Sequence, residues 1–151
     1  MVTVQRSRCP DAVALTDGMR HFTYAELVAI AARVAHVLRG KGIGPGDTVA
    51  LCFVRSTEQV LALVGTLASG AAAAPFDVRH AATAVRENVT RLAPAAVLAD
   101  ADGAELFPDA LRLDGLLAMD GGHHAHRPPP RRGARRGRRR VRCPGPGRYR
   151  R

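Results

Sequence analysis

Residues 1–120 predict an α/β domain, a β-hairpin followed by alternating helices and parallel strands, with a disordered Arg/Pro/Gly-rich tail behind it. Three observations carry this prediction. After the hairpin, segments with helical apolar spacing alternate with short apolar runs in the order α, β, α, β, α, β, an arrangement that argues for a parallel sheet with helical crossovers. The first of those runs, residues 49–53, is apolar throughout, as expected of a strand covered on both faces. Capping residues open two of the helical segments, and Gly or Pro stops all three.

The hairpin comes first. Residues 13–16 and 19–22 flank Asp17-Gly18, a pair suited to a two-residue type I′ turn in which both central residues take positive φ. Thr23 then caps a helix, and Thr23-x-x-Glu26 has the spacing of a capping box, in which each side chain satisfies a free backbone N–H of the other's segment. Tyr24, Leu27, Ala31, Val34 and Leu38 recur at helical spacing and form one apolar stripe, with His36 on the solvent side. Gly40 is placed to stop this helix. Gly42-Ile43-Gly44-Pro45-Gly46-Asp47 reads as a tight connection rather than a phosphate cradle. It precedes a strand, whereas phosphate loops follow a strand and open a helix.

The strand at 49–53 leads to a second helix, opened by Ser56 or Thr57 with Ser56-x-x-Gln59 as a further capping box. Val60, Leu61, Leu63, Val64 and Leu67 make it apolar nearly all round, which predicts burial on most sides. Gly65 lets a neighbour approach closely, and Gly70 ends the helix. Residues 71–74 are alanines held between Gly70 and Pro75, and are assigned to a short strand. Val85, Val89 and Leu92 form the stripe of a third helix, with Glu87 and Arg91 paired outside at i,i+4 and Pro94 closing it. Residues 95–99 form another short strand. Residues 101–120 read as a surface connection with one more short strand near 111–113.

Charge divides the chain in two. Residues 1–120 hold 11 Lys+Arg against 13 Asp+Glu, a formal net charge of −2. Residues 121–151 hold 12 Arg and no acid, a net of +12, so the overall +10 belongs to the tail. The first ten residues are polar and lack the apolar stretch of a signal peptide. The apolar run at 60–74 is shorter than the roughly 20 residues a membrane span needs. A cytoplasmic protein with no membrane partner is therefore expected. Cys9, Cys52 and Cys143 are far apart and odd in number, suggesting neither a disulfide framework nor a zinc site, with Cys52 a buried thiol.

Four segments together carry a family likeness. Phe22-Thr23-Tyr24-Ala25-Glu26-Leu27 resembles the opening motif of the adenylate-forming enzymes, the AMP-dependent synthetase and ligase superfamily. Gly42-Ile43-Gly44-Pro45-Gly46-Asp47-Thr48-Val49-Ala50-Leu51 is similar to the loop and strand that follow there, and Arg55-Ser56-x-Glu58 to the start of the second helix. Leu67-Ala68-Ser69-Gly70-Ala71-Ala72-Ala73-Ala74-Pro75-Phe76-Asp77 resembles the second motif, with Ala68, Ala73 and Phe76 where the family usually has Lys, Tyr and Leu. The likeness covers roughly residues 10–118 and is nearest to the amino-acid adenylation domains of nonribosomal peptide synthetases. It implies residues 10–120 as the N-terminal part of an adenylation domain, and an enzyme that joins a carboxylic acid to AMP with ATP and Mg²⁺, then passes the acyl group to a thiol.

The resemblance also implies a Ser/Thr/Gly-rich phosphate loop ending in Pro-Lys, acidic residues for ribose and metal, and a lysine on a C-terminal domain. No such loop occurs in these 151 residues, and the only lysine is Lys41. No catalytic, cofactor-binding or metal-binding residue is therefore nominated. The chain is expected to be inactive by itself, with the downstream part of the enzyme or a phosphopantetheine carrier protein as partner. Two readings of residues 121–151 stand side by side. One is a cationic arm whose arginines contact the phosphates of nucleic acid or another polyanion, making the chain a non-catalytic binding or scaffold module. The other, which the GC-rich codons of Arg, Pro, Gly and Ala favour, is the product of a frameshift. His123, His124, His126 and Cys143 lack the spacing of a metal site.

Overall fold

A computed structural model describes residues 2–18 and 20–114 of the chain. The readings made of residues 121–151, including the disordered tail and its polyanion contacts, lie outside the described residues. The chain divides into two compact units, with the boundary between Val28 and Ala29.

The first unit opens with α1 (Val2–Arg8), which the sequence pattern did not foresee. Strands β1 (Val13–Asp17) and β2 (Arg20–Thr23) form the expected antiparallel hairpin. Asp17, expected in the turn, instead ends β1 and pairs with Arg20 across the ladder. An ion pair of 2.7 Å between Arg20 Nη2 and Asp17 Oδ2 joins the two residues that close the loop, and Gly18 alone of the Asp17-Gly18 pair takes positive φ, at 53°. Cys9 is buried.

Helix α2 (Tyr24–Gly40) begins here with the expected box. Glu26 N donates to Thr23 Oγ1 at 3.2 Å, and Thr23 N donates to Glu26 Oε2 at 2.8 Å. Each bond satisfies an amide that the helix start leaves open. The helix runs through Gly40 and is stopped by Gly42, whose φ of 79° is the left-handed value a helix terminus requires.

In the second unit, the rest of α2 buries Ile30, Val34 and Leu38 completely and leaves His36 exposed. Four strands follow in one parallel sheet: β3 (Thr48–Phe53), β4 (Ala72–Asp77), β5 (Ala96–Ala99) and β6 (Leu111–Arg112), in the order β4-β3-β5-β6. The connecting helices are α3 (Thr57–Ser69), α4 (Ala82–Leu92) and α5 (Ala101–Leu106). Residues 101–106 are thus a helix rather than a plain connection. Asp100 caps it, a signal that a six-residue helix is too short to support with a visible apolar stripe.

Alternation along β3 assigns its two faces. Ala50 and Cys52 pack with Ala99, Val85 and Val89, backed by Phe76, Ala104, Leu106 and Phe107, so α4 and α5 cover one face. Val49, Leu51 and Phe53 are equally buried on the other, and α3 packs on β3 and β4. Gly65 of α3 sits against Val34 of α2, where an added Cβ would lie 2.5 Å from the valine Cβ. Arg39 donates to the carbonyls of Ala68 and Ser69 and so closes the end of α3.

Three local expectations are corrected. The alanine strand extends through Pro75 to Asp77, because its ladder with β3 continues to Phe53. Leu67, expected buried, is 58% exposed, because the helix turns this position away from the sheet as it ends. Glu87 and Arg91 are both exposed and do not form an ion pair, in keeping with the small gain such pairs offer in water. Among the described residues no helix is long and apolar enough to cross a membrane.

Candidate functional site

In an open parallel sheet, ligands bind beyond the carboxyl ends of the strands, where the strand order reverses. From β3 the chain passes to β4 on one side and then to β5 on the other, so the reversal lies between β3 and β5. The segments that leave these strands are Val54-Arg55-Ser56-Thr57 and Asp100-Ala101-Asp102-Gly103.

One carboxylate organises this place. Asp100 Oδ2 accepts from the backbone N–H of Val54 at 2.8 Å, and Oδ1 accepts from the N–H of Gly103 at 2.8 Å. It therefore caps α5 and ties the exit of β3 to the exit of β5 with one side chain. Gly103 is buried directly over the end of β3, and an added Cβ would stand 2.0 Å from the Cys52 carbonyl oxygen and 3.0 Å from the Ala99 Cβ. There is no room for a side chain at position 103. Across the way, Ser56 Oγ accepts from Gln59 N at 3.4 Å and caps α3.

At the end of β4, Asp77 is bound by Arg79 through its guanidinium, at 3.1 and 2.7 Å, and through its backbone N–H at 3.1 Å. These side-chain and backbone bonds hold the Asp77 carboxyl well below the usual carboxylate range. Beside it a shallow groove of ≈ 560 Å³ runs between β4 and α4, lined by Pro75, Phe76, His80, Ala84, Val85 and Asn88 among others. This groove lies on the flank of the sheet, not at the reversal, and its one carboxylate is already engaged by Arg79.

Triphosphate and Mg²⁺, the groups the family resemblance implies, need several free amide donors and a positive side chain. The carboxyl end of this sheet does not fit them. Two amides at the reversal, those of Val54 and Gly103, are taken by Asp100, and Asp102 adds a second negative charge next to it. The Gly42–Asp47 loop lies at the opposite, amino end of β3, and there Gly44 N donates to Asp47 Oδ2 at 2.8 Å. Lys41 adjoins that loop and not the reversal. Among the described residues no three His, Cys, Asp or Glu side chains converge as for a metal ion. Asp100 and Gly103 were not singled out by the sequence reading; Asp100-x-x-Gly103 directly after an apolar strand was the available signal.

Cys52 is free and fully buried, and burial, with the nearby Asp100 charge as a lesser cause, pushes its thiol up to about 12. It remains protonated at neutral pH, which removes it as a nucleophile or metal ligand. Iodoacetamide is accordingly expected to leave Cys52 unmodified in the native chain at pH 8 and to modify it fully in denaturant, as read by peptide mass spectrometry.

Comparison with known proteins shows the family. The family model described as AMP-binding enzyme matches residues 2–131. Over 116 residues the chain is 39% identical to CymA, a probable non-canonical nonribosomal peptide synthetase of Salinispora arenicola, covering 77% of this chain and 2% of that protein. Malpinin synthetase of Mortierella alpina is 38% identical over 120 residues, again 80% of this chain and 2% of the relative. Among solved structures, the nonribosomal peptide synthetase FmoA3 superposes with a TM-score of 0.69 at 28% identity, over 78% of this chain and 14% of that one. The N-terminal subdomain of Klebsiella oxytoca NpsA shares the fold, with a TM-score of 0.68 at 24% identity, over 77% of this chain and 30% of that one. The chain thus spans only a small share of each relative. This chain belongs to the AMP-binding enzyme family, and its relatives there are the adenylation domains of nonribosomal peptide synthetases.

Proposed function

We propose that this chain supplies the N-terminal portion of an adenylation domain that activates a carboxylic acid as its acyl-AMP, and that it does not catalyse the reaction by itself. The single observation supporting this reading is that the family match runs over residues 2–131 while the one lysine, Lys41, lies before the amino end of β3, away from the strand exits. The residues present build a scaffold layer: two helix-covered faces around a short parallel sheet. Phosphate binding and charge stabilisation are left to residues of a phosphate loop that these 151 positions do not contain. The natural partners under this reading are the downstream part of the same enzyme and, through it, a carrier thiol.

The test is ATP–pyrophosphate exchange. The purified 151-residue chain is expected to show no exchange above the buffer rate with any amino acid. Mixed with the downstream portion of a related adenylation domain as a second chain, it is expected to restore exchange. Exchange by this chain alone would refute the claim that it does not catalyse the reaction by itself, and an inactive mixture whose two chains co-purify would refute the claim that it supplies the N-terminal portion.

A further inference from the structure

We infer that Pro75 guards the free edge of β4 against pairing with a second copy of this chain. Among the described residues β4 is the terminal strand of its sheet. Ala72 N donates to the Asp47 carbonyl at 2.8 Å, and Val78 N donates to the Phe53 carbonyl at 3.2 Å. The even-numbered positions of this segment therefore turn their backbone polar groups toward β3. Alternation turns those of Ala73, Pro75 and Asp77 outward.

The outward edge offers carbonyls at Ala73 and Pro75, the Asp77 carbonyl accepting from His80 N at 3.3 Å, and N–H groups only at Ala73 and Asp77, because proline has none. The missing donor sits in the middle. The edge otherwise has the features of a pairing surface: six residues long, alanine-rich, uncharged until Asp77, and with Ala72 and Pro75 exposed. Asp77, its one charge, is balanced by Arg79 and so repels a second copy only weakly. An antiparallel pair of two such edges centred on residue 75 would set proline against proline and lose both bonds of its central pair. Shifted registers leave at least one carbonyl facing a proline ring instead of a donor.

A second copy of the chain is the occupant this device excludes, since its own edge is the complement that every copy meets.

The test compares the full chain with Pro75→Ala and Pro75→Val, both of which restore the outward N–H, by sedimentation velocity over a concentration series. Pro108→Ala, at an exposed proline off the sheet, serves as control. Both Pro75 variants are expected to associate roughly tenfold more strongly than the parent, the scale set by two restored hydrogen bonds. Pro108→Ala is expected to match the parent. Pro75 variants that associate no more than the parent would overturn the inference, as would equal association by Pro108→Ala. Far-UV circular dichroism at the lowest concentration separates association of folded chains from aggregation of unfolded ones; association confined to unfolded variants would count against the inference.

Discussion

Replacing Gly103 by alanine is expected to lower the unfolding free energy by about 3 kcal/mol, the upper part of the range for overpacking a close-packed site. The added methyl would meet the Cys52 carbonyl oxygen at 2.0 Å and the Ala99 side chain at 3.0 Å. A clash with a flexible side chain is relieved by a rotamer change. This one is with the backbone of the central strand, which is held by ladders to β4 and β5 on its two sides. Relief therefore requires α5 to lift off the sheet, exposing the cluster of Ala104, Leu106 and Phe107 that it shares with Cys52 and Ala99. Gly40→Ala is the matching control, because nothing lies within 4 Å of its added Cβ and its φ is not positive. It is expected to leave stability unchanged within about 0.5 kcal/mol. Urea unfolding followed by circular dichroism measures both, and an unchanged midpoint for Gly103→Ala would show that α5 does not rest on β3 as described.

Asp100→Ala is expected to cost a similar amount, again about 3 kcal/mol, from a lost helix cap and an orphaned backbone N–H together. Its two oxygens serve two different donors, Val54 N and Gly103 N. Asp100→Asn keeps one carbonyl oxygen and must surrender one of the two bonds, so roughly half the loss is expected. The ordering Asp, Asn, Ala in unfolding midpoint is the diagnostic result. An asparagine variant as unstable as alanine would mean that the charge, and not the pair of acceptors, holds the strand exits together. Neither substitution touches a nucleotide under the proposed function, so both are stability experiments and are read without an activity assay.

The helices that the sequence announced are those whose signals are local. Thr23 and Glu26 find each other three residues apart, as do Ser56 and Gln59, and the expected α2 and α3 begin where these caps stand. Gly65 and Gly70 were also legible, one as a close approach and one as a stop. The readings that failed depended on how strands pair and pack. Asp17, expected in the turn, belongs to β1 because it pairs across the ladder with Arg20. Residues 101–106 carry too few apolar positions to announce a helix, yet they form one because Gly103 fits against the end of β3.

The family motifs, the alternation of helix and strand, and the absence of a phosphate-binding segment were all readable along the chain, since each depends on residues a few positions apart. The order β4-β3-β5-β6 was not, nor was the tying of the two strand exits by Asp100, nor the outward turn of Pro75. Those three depend on which strand lies beside which. Pairing between residues dozens of positions apart is decided by the packing of the whole sheet, and no local stretch of sequence encodes it.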